Sequence, residues 1–364
     1  MIVKDEQAVI ERLLRSVSPF IDSYLIVDTG SSDDTADIIH RVMSEQGIRG
    51  EVHFRDWVNF GHNRQEALEL AVNHLSPEWL LFIDADEELR WTDDQWHKKL
   101  QSGVSYRLEK QYGPLRYALS NLIWVGDTQW TWKGAVHEYL DSEPTVTEFQ
   151  TRSDVWIHSY VGEGARSLGI TDREKFLKDA ALLESSLKKD PKNARDRFYL
   201  AQSYRDAGED RKAYEHYGLR VEMGGWEEEV YVAQCERANL CIRLGMDHEV
   251  IRSEHLKAYS LRPTRAEALW QLAAYCREQG RYAEGYLYSK VGKDLATPSD
   301  ILFVRYDVYD WRMLDEFSVC AYWIGQYQES LDACQKILAE QKYPQSEQER
   351  LQSNLKFSKD RINP

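Results

Sequence analysis

Residues 80–88, with the sequence LLFIDADEE, constrain the fold of this chain more than any other stretch. Four apolar residues followed at once by acidic ones are typical of a buried central strand, because the run is too short for a helix and ends abruptly. In an open parallel sheet, ligands bind beyond the carboxyl ends of the strands. The carboxylates of Asp84 and Asp86 are therefore well placed to hold a hard divalent cation that carries phosphates. A solvated acidic turn that caps the next helix is the structural alternative.

Strand and helix patterns alternate along the first hundred residues. Short apolar runs read as strands, and the segments between them have apolar residues at helical spacing. This alternation predicts an α/β domain built on a doubly wound, mostly parallel sheet. From about residue 104 three strand-like runs separated by turns replace the alternation, so we expect a mixed α+β extension to close the first domain, 1–170. The predicted strands are 1–3, 24–27, 51–54, 80–83, 104–108, 121–125 and 154–158.

The second domain, predicted for 171–364, is almost wholly helical. Small and aromatic residues recur in it at the offsets of a tetratricopeptide helix pair. Each pair buries its apolar face only by stacking on the next pair, so we expect three or four repeats to form a short all-α solenoid. An irregular helical bundle is the alternative. The recurring residues are Leu200, Ala201, Tyr204, Gly208, Ala213 and Tyr217, then Ala238, Cys241 and Gly245, then Leu272, Ala273, Cys276, Gly280 and Gly285, and finally Ser318, Ala321, Gly325 and Ser330.

Charge and cysteine content exclude several classes of protein. A formal charge of -15 argues against a nucleic acid as the main partner, since that binding rests on phosphate neutralisation. The five cysteines are scattered and form no C-x-x-C motif, so we predict reduced thiols rather than a zinc site or a disulfide framework. No run approaches the roughly 20 apolar residues of a membrane-spanning helix. With no signal-peptide pattern either, we expect a cytoplasmic protein without a transmembrane segment.

Four short motifs occur in an order that resembles a known family. They are MIVKDE at 1–6, VDTGS at 27–31, FGHNR at 60–64 and DADE at 84–87. Together they are similar to the inverting family 2 glycosyltransferases with the GT-A fold, and the resemblance covers about residues 1–160. The His137-Glu138 pair and the tetratricopeptide-like tail resemble the branch in which such a domain precedes helical repeats. The resemblance implies a Rossmann-like nucleotide-sugar-binding domain and a hexosyltransferase activity.

A metal site is part of what the resemblance implies. A divalent cation, Mn²⁺ or Mg²⁺, would neutralise the departing diphosphate as a Lewis acid. We expect Asp86 to be its direct ligand and Asp84 to meet the ribose or a water of the metal. The family's site is usually completed by a later histidine, a position that His158 matches, with His137 as its rival. A hydrogen-bonded core histidine is the structural alternative for His158.

The nucleotide contacts are expected in the same motifs. Asp28 ends the second strand, where its carboxylate can accept the N3 proton of uracil, so a UDP-sugar is the expected donor. The family commonly has two acidic residues at this place, whereas here Thr29 follows Asp28. Arg64 can pair with phosphate as a bidentate fork, and a surface helix arginine is its structural alternative. Val3 and Ala85, within the matched motifs, complete the predicted nucleotide-sugar-binding set.

An inverting transfer also needs a base that takes the proton of the acceptor as it attacks the anomeric carbon. Glu138 matches the family's acidic position after the D-x-D motif and is the predicted base, with a purely structural strand-end carboxylate as the alternative. Trp124, Trp130 and Trp132 flank this region, and their flat faces suit sugar rings. Packing is the expected duty of at least two of them.

The acceptor is predicted to be a glycan or a peptide. A concave solenoid face suits such extended molecules, so the helical repeats are expected to orient the acceptor through aromatics such as Tyr204, Trp226 and Trp270, or to mediate assembly into a homo-oligomer. The alternative is a decayed transferase domain on a tetratricopeptide scaffold that acts as a protein-interaction module. A nucleotidyltransferase would carry a glycine-rich phosphate loop near its start, and residues 1–11 contain no glycine.

Overall fold

The structure is a computed structural model that describes residues 1–134, 136–143, 149–160, 162–165, 169 and 171–362. The chain divides into two compact units, Met1–Pro191 and Lys192–Pro364. The helix that begins at Asp172 groups with the first unit. Residue 170, the predicted last residue of the first domain, lies outside the described residues, and the boundary at 170 stays a prediction.

The first unit alternates strands and helices before it becomes mostly strand. Its elements are β1 (Ile2–Val3), α1 (Ile10–Val17), β2 (Ser23–Asp28), α2 (Thr35–Glu45), β3 (Arg49–Phe54), α3 (Phe60–Leu75), β4 (Trp79–Leu81), β5 (Glu87–Trp91), β6 (Tyr106–Tyr112), β7 (Leu115–Trp124), β8 (Gln129–Lys133), β9 (Tyr139–Glu143), β10 (Gln150–Ser159) and α4 (Asp172–Lys189), with 3₁₀ turns at Ser18–Phe20 and Trp96–Lys99.

Two sheets carry most of this unit. β1, β2 and β3 form a parallel sheet in that order, and β2 aligns Asp28 with Val3 on one side and with Phe54 on the other. A second, mixed sheet runs β7-β6-β10-β5, in which β10 is parallel to β6 and antiparallel to β5. The small sheet of β8 and β9 is antiparallel. β4 pairs with β7 of the mixed sheet, so the acidic turn between β4 and β5 connects two strands of that sheet.

The strand before the acidic motif differs from its prediction. It ends at Leu81 instead of Ile83, and it pairs antiparallel with β7 instead of within the parallel sheet. Phe82 and Ile83 are nevertheless buried, and the Phe82 amide donates to the Asn121 carbonyl at 2.7 Å. β7 is ten residues long, whereas β1, a strand of the parallel sheet, has only two. β7 therefore offers β4 the longer strand to pair with. Among the described strands of the first unit, parallel pairing is thus limited to the sheet of β1, β2 and β3 and to the pair of β6 and β10.

Helix α1 packs the apolar face that its sequence predicted. Leu13, Leu14 and Val17 are buried in the main core of the unit. The helix begins at Ile10, after a turn in which the Glu6 carbonyl accepts the amides of Val9 at 3.1 Å and Ile10 at 3.0 Å. This turn leaves Glu6 ahead of the helix.

The second unit is built of helices that pack in sequence order, as the repeat pattern predicted. Its elements are α5 (Ala194–Asp206), α6 (Asp210–Met223), α7 (Glu227–Arg243), α8 (His248–Leu261), α9 (Glu267–Glu278), α10 (Tyr282–Gly292), β11 (Val304–Arg305), a π-helical turn (Val308–Arg312), α11 (Met313–Trp323), α12 (Tyr327–Glu340), a 3₁₀ turn (Gln345–Glu347) and α13 (Gln348–Ile362).

The recurring residues of the repeats serve the packing of helix pairs. Gly208, Gly245, Gly280 and Gly325 lie in the turns between paired helices with φ between +62° and +82°, a left-handed backbone that glycine adopts without strain. The recurring alanines and cysteines are buried. All five cysteines are free thiols. Within the described part of the chain, no helix is long and apolar enough to cross a membrane.

Candidate active site

Asp28 is a fully buried carboxylate at the end of β2. Its Oδ1 accepts hydrogen bonds from the backbone amides of Gly30 at 2.9 Å and Ser31 at 2.7 Å. Among the described residues, its Oδ2 has no hydrogen-bond partner. Buried polar atoms without a partner are rare and require an explanation. Oδ2 is thus an oriented acceptor for which the described residues supply no donor.

Thr29 occupies the place of the second of the two acidic residues that the family commonly has. It is buried, and its Oγ1 donates to the Val3 carbonyl at 3.1 Å, while its amide donates to the same oxygen at 2.9 Å. The threonine therefore ties β2 to β1. This contact also orients Val3, whose side chain belongs to the core.

The D-x-D turn is closed by Glu87. The Asp84 amide donates to Glu87 Oε2 at 2.8 Å, and the Glu87 amide donates to the Asp84 carbonyl at 3.1 Å. Burial alternates along the segment, since Ala85 and Glu87 are buried while Asp84 and Asp86 are partly exposed. The two aspartates therefore reach solvent from a turn whose intervening residues are held in the interior.

Arg64 joins two of the predicted site residues. Its Nη2 donates to Asp84 Oδ1 at 2.7 Å, and its Nε forms an ion pair with Glu138 Oε1. The guanidinium also lies 5.2 Å from the ring of Trp132. Only 15% of the Arg64 side chain is exposed, so it is not a surface helix arginine. Burial opposes its charge, but Asp84 and Glu138 outweigh burial and raise the pKa of Arg64.

Glu138 lies where β9 begins and is itself nearly enclosed, with 9% of its side chain exposed. The approach of α3 to this segment is close. A Cβ added to Gly61 would lie 2.6 Å from the Gly134 carbonyl oxygen, so the glycine of the FGHNR motif allows α3 to contact the backbone ahead of Glu138. No signal in the sequence indicated that Arg64 and Glu138 would pair, because 73 residues lie between them.

A second ion pair lies beneath the acidic turn. Glu87 is 1% exposed and pairs with the ammonium of Lys110 on β6. Burial raises the pKa of Glu87 to about 7, opposed by Lys110 and assisted by Asp84. Sequence reasoning missed both residues. The position of Glu87 directly after the D-x-D motif was a signal for its role, whereas Lys110 had none.

Several carboxylates lie around the acidic turn, and their negative charges favour a bound cation there. Burial raises the pKa of Asp86, and the charge of Asp84 raises it further. Burial likewise opposes ionisation of Asp84, but the charges of Arg64 and Lys110 outweigh burial and hold the pKa of Asp84 below its usual range. A divalent cation bound by oxygen ligands would relieve the repulsion between these groups. The residues present thus fit Mg²⁺ or Mn²⁺.

Glu6 belongs to the same electrostatic environment, although the sequence analysis assigned it no role. Its Oε2 accepts the Ala165 amide at 3.1 Å. Burial raises the pKa of Glu6 to about 7, and the charges of Asp86, Asp84 and Asp33 contribute to this increase. Its place in the MIVKDE motif was the available signal.

His158 lies on β10 opposite Glu88 of β5. Its ring is 4.6 Å from the ring of Tyr160, whose hydroxyl donates to Glu88 Oε2 at 2.8 Å. Burial lowers the pKa of His158, as does the nearby Arg90. Within the described residues, Asp86 and His158 are not part of a three-ligand cluster. The ligand role of His158 stays a prediction.

The remaining residues of the prediction have distinct environments. His137 is exposed and has a positive φ of 54°. Trp130 is buried and donates from Nε1 to the Trp124 carbonyl at 2.9 Å, and Trp124 packs edge-on against Trp79. Packing is thus the duty of these two tryptophans, while Trp132 lies beside Arg64.

These features describe the first part of the chain as an α/β domain in which the buried Arg64 lies beside an acidic turn. The sequence model of the family described as "Glycosyl transferase family 2" matches residues 1–101. This region is a family 2 glycosyltransferase domain with a mixed sheet, and tetratricopeptide-like helices follow it. The resemblance to family 2 glycosyltransferases and the fold class predicted from the sequence are both confirmed.

Two curated proteins are similar to part of this chain. An uncharacterized glycosyltransferase of Rickettsia felis is 35% identical over 106 residues, which cover 29% of this chain and 31% of that protein. A TPR repeat-containing protein of Synechococcus elongatus is 29% identical over 148 residues, which cover 39% of this chain and 34% of that protein. The chain spans about a third of the length of these relatives.

Among solved structures, MamA is similar to this chain at 16% identity and a TM-score of 0.38. The similar region covers 46% of this chain and 90% of the MamA chain. A score of that size carries no argument on the fold. The repeat architecture rests instead on the paired helices and their glycine turns.

Proposed function

We propose that this protein is a metal-dependent inverting glycosyltransferase that moves a sugar from a UDP-sugar to a glycan or peptide acceptor. The observation that carries the proposal is the position of Arg64, which contacts both Asp84 of the D-x-D turn and Glu138. Three motifs that are far apart in the sequence thus contribute to one buried polar site. A structural ion pair alone would not explain the partly exposed aspartates beside it.

The chemistry follows from the roles of these side chains. Asp86 would hold Mn²⁺ or Mg²⁺ directly, and Asp84 would meet the ribose or a water of the metal. The cation would supply charge neutralisation for the diphosphate leaving group. The Asp28 carboxylate accepts the N–H of the base, and Arg64 pairs with phosphate. Glu138 takes the proton of the acceptor while the acceptor attacks the anomeric carbon. The sugar–phosphate bond breaks on the opposite face, and its electron pair leaves with the nucleoside diphosphate.

The ion pair of Arg64 with Glu138 suggests an order of binding. In the free protein the Arg64 guanidinium holds the Glu138 carboxylate in an ion pair. A bound diphosphate competes for the same guanidinium and thereby releases Glu138. We therefore propose that the donor binds before the acceptor.

The second unit is proposed to orient the acceptor or to mediate self-association. Tyr204 and Trp270 are buried and serve the core, whereas Trp226 is 42% exposed and is available to a partner. The five free cysteines, four of them buried, support a reducing compartment, which we propose to be the cytoplasm.

The test is hydrolysis of a panel of nucleotide sugars with Mn²⁺, with Mg²⁺ and with excess chelator. We expect hydrolysis of a UDP-sugar that requires metal and disappears in Asp86→Ala, because that variant lacks the predicted direct ligand. Asp94→Asn, an exposed aspartate outside the motif, is the matched control and should keep full activity. Full activity in chelator would contradict the metal role, and no binding of any nucleotide sugar would favour the decayed scaffold.

A further inference from the structure

A second cluster of metal-ligand side chains lies on β3 and α3. Glu51 and His53 are two residues apart on β3 and therefore project from the same face of the strand. His74 lies in the last turn of α3. Oε2 of Glu51 is 2.6 Å from His53 Nε2 and 2.9 Å from His74 Nδ1. The three ligand atoms lie within 4.8 Å of one another, and no other such group of three occurs among the described residues.

The arrangement of the rings suits a shared ligand. The two imidazole centroids are 5.1 Å apart and their planes are nearly perpendicular, at 84°. Both rings thus direct one nitrogen to the same carboxylate oxygen from different directions. Ligand atoms around a tetrahedral Zn²⁺ at about 2.0–2.1 Å are roughly 3.3 Å apart. The contacts to Glu51 are somewhat shorter than this spacing, so modest side-chain rotation would admit the ion.

The donor atoms indicate which cation fits. Two imidazole nitrogens and one carboxylate oxygen suit Zn²⁺, Co²⁺ or Ni²⁺, whereas Mg²⁺ and Mn²⁺ prefer sites made of oxygen. The Glu51 and His74 side chains are 45% and 40% exposed, and that of His53 is 18% exposed. An ion can therefore enter from solvent and keep water in its remaining coordination position. This donor set differs from the carboxylates at the acidic turn.

We propose that Glu51, His53 and His74 bind a divalent transition metal of the zinc class, which clamps β3 to the C-terminal end of α3. β3 pairs with β2 so that His53 lies opposite Val27, the residue before Asp28. α3 also carries Arg64. The clamp thus stabilises both elements that flank the proposed nucleotide site, without contributing a catalytic group.

The experiment is a calorimetric titration of the metal-free full chain with Zn²⁺, in a constant excess of Mg²⁺ that occupies all-oxygen sites. We expect one Zn²⁺ site, with affinity at least about tenfold weaker in His53→Gln and in His74→Gln, equivalent to about 1.4 kcal/mol each. The site should be absent in the double variant. His40→Gln, an exposed histidine on α2, is the matched control and should bind as the original protein does.

A second measurement separates a clamp from adventitious binding and from failure to fold. Zn²⁺ should raise the thermal unfolding temperature of the original protein and of His40→Gln, but not that of the double variant, which should fold with unchanged circular dichroism. Titration with Co²⁺ should give visible absorption bands of a site with nitrogen ligands, which the double variant lacks. If Zn²⁺ does not bind, or binds the double variant equally well, the cluster is only a hydrogen-bonded carboxylate with two histidines and the proposal is overturned.

Discussion

Arg64 is the residue on which the arrangement of the candidate site depends. It holds the carboxylates of Asp84 and Glu138 together, and the carboxylate of Glu87 is a third negative group nearby. Removing one partner of a buried ion pair leaves the other charge without compensation, which is more costly than loss of the pair itself. The arginine therefore has a structural duty in the free protein besides its proposed contact with phosphate. Because Arg64 has these two roles, the effect of replacing it could not be assigned to either one. Glu138 is therefore the better position for a functional test.

The prediction at Glu138 is that Glu138→Gln lowers transfer by about 10²–10⁴-fold, because an amide cannot accept the proton of the acceptor. Affinity for the donor should not fall, because the base acts on the acceptor and the amide of the variant competes less than the carboxylate for the Arg64 guanidinium. Transfer rates with a saturating donor and calorimetry with the donor alone measure the two quantities.

Glu143→Gln, an exposed glutamate at the end of β9, is the control for this variant and should transfer normally. Loss of donor binding together with turnover would place Glu138 in the nucleotide site and contradict its role as the base.

A buried histidine in the second unit supplies a prediction of pH dependence. His255 on α8 is 1% exposed and donates from Nδ1 to the Ile251 carbonyl at 2.8 Å. Burial lowers the pKa of His255 to about 4, below its ordinary value of 6.5. The folded state thus favours the neutral ring, so its stabilisation is complete above pH 6.5 and is lost as the pH falls towards 4.

His255→Gln should therefore reduce the loss of stability between pH 6.5 and pH 4 by up to about 3 kcal/mol. Urea unfolding at several pH values, followed for the second unit, measures this slope. The exposed His40 provides the comparison, since His40→Gln should leave the slope unchanged. Parallel pH profiles for the original protein and His255→Gln would show that the burial of this ring has no such effect.

Among the structural elements, the helices of the second unit pack closely because small residues lie at their contacts. Among the recurring glycines, Gly285 on α10 has the least space for a Cβ atom. A Cβ there would lie 2.7 Å from Cys320 Sγ on α11 and 3.2 Å from the Ala273 carbonyl oxygen on α9. One position thus limits the approach of α10 to helices on both sides. The recurrence of small residues in the sequence reflects this limit.

Gly285→Ala should destabilise the second unit by about 1–3 kcal/mol through overpacking. Alanine is the better helix former by about 1 kcal/mol, but the contact with Cys320 cannot be relieved within a packed helix interface. Denaturant unfolding measures the effect. In a Cys320→Ala background the cost should fall by at least about 1 kcal/mol, because the sulfur is gone. An equal cost in both backgrounds would place the strain elsewhere.

In the molecule as a whole, all the residues proposed to hold the donor lie in the first unit. Asp28, Arg64, Asp84, Asp86 and Glu138 precede Pro191, where contacts divide the chain. The second unit is therefore not required to bind a nucleotide. Its proposed contribution is to acceptor binding or assembly.

A truncated protein that ends at Pro191 should still hydrolyse the donor slowly with metal, if it remains folded, but should transfer little to the acceptor. Circular dichroism and thermal unfolding establish whether the truncated protein is folded, and kcat/KM with each substrate tests the division of roles. Undiminished kcat/KM for transfer would assign the helices to another duty.

Much of the candidate site could be predicted because its residues lie in contiguous motifs. The order of the VDTGS, FGHNR and DADE motifs indicated Asp28, Arg64 and the acidic pair, and apolar spacing indicated the helices beside them. Lys110 lies 23 residues beyond Glu87 on a strand with no motif, so its pairing was beyond sequence reasoning. The role of His158 as a metal ligand stays a prediction, since its contacts are with β5 and Tyr160.

The sequence by itself determined the elements and the chemistry available to them, because apolar periodicity and turn residues act over a few neighbours. It therefore determined a strand ending in Asp28, an acidic turn, and helix pairs separated by glycines. Only the tertiary structure decided that β4 pairs with β7, that Arg64 joins Asp84 to Glu138, and that Thr29 binds β1 instead of facing a ligand. These outcomes depend on which strands can pair over more residues and on which buried charges can be neutralised. Both depend on residues that are distant in the chain.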